Sequence, residues 1–336
     1  LDLAEAIAPR LPGGDQRALL DRLAAEHDNL RAAVARAIDR DETELALRLG
    51  ISSWRFWQLR GHVEEGRGAM TRILAMPGAA APTHRRMRAL EADGGLRYWS
   101  ADLPGADARY REQLELARRL DDVAGTADAL FNLEHTRQLL EADGEPAGQL
   151  LDDAERLYLQ IGDDRSAARV EWARLNATMA RGEFDVADRM LAARRRFEAL
   201  GDDWYVALTL GSLAWSALAR GDIRDALRWW LASLDMSYVM GDVATVTIGL
   251  RAAGLVVGQL GMPREAITIL AAFEALCARY GVRPPAFIEE ITPGADIPTI
   301  DLDDDLEAAA RGAAMSFDEA VDYVTGVVKE VLAVAE

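Results

Sequence analysis

Cysteine occurs once in these 336 residues, at Cys277, so no disulfide can close within the chain and no thiolate metal site can be built from it alone. A reducing, cytoplasmic setting fits that composition. Histidine is almost as sparse. His27, His62, His84 and His135 are scattered over different parts of the chain, and ordinary polar or capping roles are expected of them rather than metal ligation. No stretch approaches the ~18 consecutive apolar residues that a membrane span requires, and no basic-then-apolar leader opens the chain, so no membrane partner is expected. Basic residues are outnumbered: 38 Lys and Arg face 56 Asp and Glu, giving a net charge of −18. Such a chain repels a phosphate backbone, and no basic stripe interleaved with aromatics offsets this, so direct binding of nucleic acid is excluded. There is no Gly-rich loop ending in Lys-Ser/Thr, no dinucleotide fingerprint and no His-Glu-x-x-His pair. Neither a nucleotide nor any other cofactor is expected.

What is present is repetition. From Trp204 to Asp242, two apolar-periodic segments are broken by Arg220-Gly221-Asp222 and closed by Met240-Gly241-Asp242. Gly ends a helix in the left-handed conformation and Asp caps the next through its side-chain oxygen, so the unit reads helix-turn-helix-turn. Taking Gly61, Ala101, Ala142, Gly182, Gly221 and Gly261 as the inner turns, the spacings are 40, 41, 40, 39 and 40. The fifth residue onward is always small: Gly66, Ala106, Ala147, Ala187, Ala226 and Ala266, where the second helix crosses the first closely. The outer turns recur at Asp121-Asp122, Gly162-Asp163, Gly201-Asp202, Gly241-Asp242 and Gly281. A fixed period of this length is the signature of stacked helix pairs, and an array of that kind needs no second core. The fold class expected is all-α: one continuous right-handed superhelical solenoid of six helix pairs.

Residues 1–41 read as a turn-rich connector ending in Leu11-Pro12-Gly13-Gly14, followed by one long brace helix from Asp15 to about Arg40. Residues 42–282 hold the six repeats, with Pro77 to Pro82 as a linker and possible hinge between the first two. Residues 283–336 begin with a proline-rich stretch and close on Ser316-Phe317-Asp318-Glu319, a capping-box spacing ahead of Val321, Val324, Val328 and Leu332. This last helix is expected to cap the end of the array. Opening at Leu1 without a Met, the chain reads as a soluble piece of something longer.

Counted from each inner turn, Gly94, Ala214 and Gly254 stand seven residues before, and Tyr110 and Trp230 nine after, as in the small and aromatic packing positions of tetratricopeptide repeats. Trp54, His135 and Leu175 replace the small residue in repeats one, three and four, and the period exceeds the usual ~34. The opening block Leu20 to Ala33, the run Trp54-Arg55-Phe56-Trp57 before Arg60-Gly61-His62, the serial Gly-Asp turns and Arg311-Gly312 ahead of Phe317-Asp318-Glu319-Ala320-Val321 resemble a more specific group. The chain is similar to the C-terminal helical-repeat region of bacterial STAND-class signal-transduction ATPases, including LuxR-type and SARP-type transcriptional regulators. The resemblance implies a sensor that follows a nucleotide-binding domain and a winged helix in the parent protein and controls both.

The resemblance to tetratricopeptide arrays also implies that first helices line a concave groove, entered by the residues 13, 10, 6, 3 and 2 before each inner turn. These are Arg55, Gln58, Arg88, Glu91, Tyr98, Trp99, Asn132, Thr136, Arg169, Trp172, Asn176, Met179, Trp215 and Arg251. Aromatics beside Arg and Asn suit an effector, whether a small molecule, a peptide or a protein. The competing reading is that they fill the inside of a tight superhelix. Trp54, Trp57, Trp229 and Trp230 belong to the packing positions and are assigned to the core. The acidic pairs at the outer turns read as helix caps rather than a magnesium motif, and the Asp301 to Asp305 run as a solvated helix start. Arg220-Gly221-Asp222 spells an adhesion tripeptide whose register makes it a turn. The expected function is a non-catalytic sensor and interaction module. The alternatives are a freestanding scaffold for a partner peptide and, behind it, an all-α enzyme. An enzyme needs two acids converging in the groove with displaced pKa values, and only Glu91 falls there.

Overall fold

The computed structural model describes residues 1–11, 15–140, 148–282 and 300–333, and among these it contains seventeen α-helices and no strand. Three helices lead: α1 (Asp2–Ile7), α2 (Gln16–Ala25) and α3 (His27–Asp39). Six pairs follow: α4 (Thr43–Leu59) with α5 (Val63–Leu74), α6 (His84–Trp99) with α7 (Leu103–Arg119), and α8 (Val123–Leu140) with α9 (Gln149–Gln160), then α10 (Asp164–Ala180) with α11 (Ala187–Ala199), α12 (Asp203–Ala219) with α13 (Ile223–Met240), and α14 (Val243–Gln259) with α15 (Pro263–Tyr280). The chain closes with α16 (Leu306–Ala313) and α17 (Phe317–Ala333). The all-α helix-pair architecture is therefore the one the periodicity calls for. The third inner turn, with Ala142 and Ala147, lies outside the described residues, as do Pro12 to Gly14 and the proline-rich stretch 283–299.

The turns explain the period. Asp41, Gly61, Ala101, Asp121, Gly162, Gly182, Gly201, Gly221, Gly241, Gly261 and Gly281 all have positive φ, between 53° and 84°. From Asp41 to Gly261, the residue after each sends its N–H five residues back, as in Asp102 to Arg97 (2.9 Å), Asp163 to Tyr158 (2.9 Å) and Asp242 to Ser237 (3.0 Å), which is the Schellman closure of a helix. At every one of these turns but those of Gly182 and Gly281, that same residue then starts the next helix. The Asp122 carboxylate accepts from Gly125 N–H (2.7 Å), Asp163 from Ser166 (3.0 Å) and Asp202 from Tyr205 (3.2 Å). One aspartate thus serves two helices, and the acidic pairs act as caps. Asp222 occupies the same place, but its carboxylate pairs with Arg220 (3.2 Å) and makes no cap bond.

Ala101 carries this left-handed conformation (φ 61°) on an exposed turn. A Cβ there costs about 1–2 kcal/mol, part of which glycine gives back through its freer unfolded chain. Ala101→Gly is expected to raise stability by about 0.5–1 kcal/mol in a denaturant titration, and a loss would contradict this account of the turn.

Four expectations are corrected in detail. The lead before Pro12 is a helix, not a connector: Ala4, Ile7 and Leu11 are buried, and Glu5 receives two hydrogen bonds from Arg48 of α4, both 2.7 Å. The brace is two helices, because Glu26 turns out of helical geometry (φ −104°, ψ 11°), letting Leu20 and Leu23 pack independently of Leu30 and Val34. The linker holds a packed 3-10 turn, Pro77–Ala80, with Met76 and Ala79 buried. Ala187 is half-buried at the start of α11 rather than at a crossing. Residues 183–186 are non-helical and pinned in place, since Phe184 C=O accepts from Ser216 Oγ (2.7 Å) and Arg220 Nη1 (3.1 Å). The small residues elsewhere do their work: Ala106, Ala226 and Ala266 are buried, and a Cβ on Gly94 would meet the Tyr110 ring at 2.5 Å.

Contacts divide the chain into two compact units, the first ending at Ala177 and the second beginning at Thr178. The first is filled around Tyr110, Leu130, Phe131, Leu151, Tyr158 and Val170. In the second, α13, α14 and α15 enclose Trp230, Leu234, Leu250 and Leu276, and α17 covers them with Val321, Val324 and Val328. The Ser316–Glu319 capping box forms in both directions, at 2.8 Å and 3.2 Å.

Candidate recognition site on the first helices of unit one

Successive first helices of unit one carry one polar ladder. On α4, Arg55 donates to Gln58 Oε1 (2.7 Å) and its guanidinium lies 3.9 Å from the centre of the Trp54 ring. On α6, a single nitrogen of Arg88 donates to Glu91 and to Asp128 of α8, each at 2.9 Å. On α10, Arg169 lies 3.6 Å from the other oxygen of Asp128 and donates to the Tyr158 hydroxyl (3.3 Å). Tyr158 in turn donates to Asp128 at 2.8 Å. The ladder is wet on one side: the side chains of Arg88, Glu91, Asp128 and Arg169 keep 39, 21, 18 and 20% of their exposure.

Beside it runs an aromatic file. The His135 ring lies 4.8 Å from Phe131 and stacks on Trp172 of α10 at 5.6 Å and 22°. Arg169 stands 5.1 Å from the Phe131 ring. Cation and aromatic faces therefore share one surface, which is the arrangement that holds an acidic group with an apolar neighbour.

Local electrostatics sharpen this. Burial, then the charge of Asp128, lift the Glu91 carboxyl above the usual range, against the pull of Arg88 and Arg55. Burial works against the charge of Arg88, but Glu91 and Asp128 more than offset it and hold the guanidinium ionised. Three guanidiniums thus face two carboxylates, one of which resists ionisation. In a chain of net charge −18 this is a local cationic spot. Burial and then Asp128 keep the Tyr158 hydroxyl protonated, and burial and then Glu91 do the same for Tyr110.

His135 is pushed down to about 4 by burial and then by Arg169, and its Nδ1 is sealed from solvent. A base whose folded pKa is depressed contributes stability that is intact above the unfolded value of ~6.5 and is lost as pH falls toward 4. Wild-type protein is expected to lose about 2 kcal/mol more than His135→Gln between pH 7 and pH 4, read as the difference in their denaturant midpoints. Identical pH profiles would remove His135 from the buried file.

The remaining candidates are dispersed. Thr136 Oγ donates to Asn132 C=O (2.9 Å) and Asn176 Nδ2 to Trp172 C=O (2.8 Å), so these bonds stay within their own helices. Tyr98 and Trp99 form an edge-to-face pair at the end of α6, 5.9 Å apart. Met179, Trp215 and Arg251 belong to unit two, where Met179 is buried and Trp215 packs against the core. Of the tryptophans assigned to the core, Trp57 and Trp230 are buried; Trp54 and Trp229 are half-buried, the first against Gly95 and the second beside Arg194.

Asp128, Phe131, His135 and Tyr158 are absent from the candidates read from the sequence. The third repeat is one residue longer, so counting back from Ala142 slips the register. Counting forward from the preceding turn, Asp128, Phe131 and His135 stand as far from Asp121 as Arg169, Trp172 and Asn176 stand from Gly162. That signal was available.

No protein-family model and no curated protein matches the chain. Among solved structures it is similar to NprR, in a crystal structure of NprR in complex with its cognate peptide NprX. The identity is 11% and the TM-score 0.44, over 90% of this chain and 97% of that one. No helix among the described residues is long and apolar enough to cross a membrane.

Proposed function

We propose that the chain is a non-catalytic recognition module that binds an effector bearing an anionic group next to an apolar one, as a free peptide C-terminus or an acidic small molecule does. The observation that carries this is the ladder itself: Arg88 and Arg169 on alternate first helices, with the His135–Trp172 stack alongside. In keeping with the sequence resemblance, the module would be the sensor of a bacterial STAND-class regulator of LuxR or SARP type, controlling an upstream ATPase and its output domain from the cytoplasm.

Glu91 and Asp128 are the two converging acids that an enzyme would need, and burial does displace Glu91. Arg88 lies between them, however, bonded to both. It fills the space in which a scissile bond would have to sit, and its fixed charge disfavours either acid as a proton donor. This favours recognition over catalysis.

The test is a titration of the chain with mixed-sequence pentapeptides in free-acid and C-terminally amidated form, followed by tryptophan fluorescence. Free-acid peptides are expected to bind at least ten-fold tighter, with the signal lost in Trp172→Phe. Equal binding of the two forms would refute an anion-directed site.

A further inference from the structure

We infer that His27, His62 and Glu65 form a binding site for a divalent transition-metal ion of the zinc class, with a fourth position left to water, joining α3 to the first helix pair. The three residues come from three places in the fold. His27 opens α3, His62 is the residue just before α5, and Glu65 lies in the first turn of α5. One ligand atom of each lies within 4.8 Å of the others, and His27 Nε2 is already 2.9 Å from Glu65 Oε1.

The backbone presets the site. His62 N–H bonds to Trp57 C=O (2.7 Å) and His62 C=O accepts from Gly66 (2.9 Å), so the turn that ends α4 aims the ring. The two imidazoles lie 4.0 Å apart at 34°, and buried Phe56 flanks both, 5.4 Å from His27 and 5.5 Å from His62. A simple His27–Glu65 hydrogen bond needs only two of these three groups. It gives no reason for a second imidazole to be brought against the first in a half-buried corner. A shared ion does.

The donor set selects the ion. Two imidazole nitrogens and one carboxylate oxygen are the ligands of open zinc sites, whereas calcium and magnesium take oxygen alone. Tetrahedral ligation at ~2.0–2.1 Å sets donor atoms about 3.3 Å apart, so the donors, all within 4.8 Å of one another, need to close by no more than about 1.5 Å. The positive end of α5 opposes a cation, but Glu64 and Glu65 in its first turn offset it, as does the overall charge of −18. Nothing in the sequence marks the site: His62 and Glu65 are one helical turn apart, but His27 comes from another helix.

The experiment is a calorimetric titration of untagged protein with ZnCl₂ at neutral pH in a Cys277→Ala background, which removes the lone thiol as a competitor. One site with micromolar or tighter affinity is expected, together with a higher melting temperature. Glu65→Gln keeps an acceptor for His27 but loses the charge, and His62→Gln removes a nitrogen donor; each should weaken binding at least ten-fold. His84→Ala, beside Asp122 at 3.6 Å, should change nothing. Co²⁺ substitution should give visible bands of a four-coordinate site that vanish in both ligand variants, whose circular dichroism is recorded without metal so that loss is read from folded protein; His27→Gln replaces whichever variant fails to fold. Binding weaker than about 100 μM, or affinity unchanged in two folded ligand variants, would overturn the inference.

Discussion

Trp230→Ala is expected to destabilise the protein by about 3–5 kcal/mol, the range for emptying a large aromatic site in a packed core. Trp230 is 8% exposed, sits within the α13–α14–α15 core and has its indole nitrogen 3.3 Å from where a Cβ on Gly249 would stand. Trp172 is the contrast. It is half-exposed, leans on the unit-one core from outside and stacks on His135. Trp172→Ala should cost roughly 1–2 kcal/mol of stability, yet weaken effector binding by about 2 kcal/mol as the loss of an aromatic anchor does. Denaturant midpoints and affinities measured on both variants settle the assignment. If Trp172→Ala unfolds the protein as readily as Trp230→Ala and leaves affinity intact, Trp172 is a core residue.

The second large effect is a pair of identical substitutions with opposite sign. Gly312, buried on α16, would place an added Cβ 2.0 Å from the carbonyl oxygen of Thr268 on α15. A backbone oxygen cannot rotate away, so the helices must part, and Gly312→Ala should cost about 3 kcal/mol or more. Gly326 is exposed on α17 with nothing within 4 Å of its Cβ position. There the alanine only restrains the unfolded chain and improves helix propensity, and Gly326→Ala should add about 0.5–1 kcal/mol. Thermal melts of the two variants give both numbers, and a stable Gly312→Ala would contradict the close packing of α16 on α15.

How much of this was legible in the sequence depends on the physics involved. Turns are local. Gly201-Asp202 and Gly241-Asp242 declare both a left-handed residue and a cap, so the six helix pairs follow from spacing alone. Crossings were legible where the helix starts on time, as at Ala106 and Ala226. They were not at Ala187, because the non-helical residues before α11 are held by Ser216 and Arg220, some thirty residues further along the chain. The site was half legible. Arg88, Glu91, Arg169 and Trp172 fall out of the register, but Asp128 joins them only when the longer third repeat is counted forward from Asp121 instead of back from Ala142. The capture of Glu91 and Asp128 by one arginine nitrogen is a property of packed helices and has no trace in the spacing of either.

The most direct measurement is a double-mutant cycle between Arg88 and the ligand's carboxylate. Free-acid and amidated forms of one binding pentapeptide are titrated into wild type and Arg88→Gln. If Arg88 receives the anion, amidation should cost ten-fold or more in the wild type and almost nothing in the variant, a coupling of at least about 1.4 kcal/mol, as for hydrogen-bonded charge pairs. A coupling near zero, with the peptide still bound, would place the anion elsewhere and contradict the first-helix ladder as the recognition site.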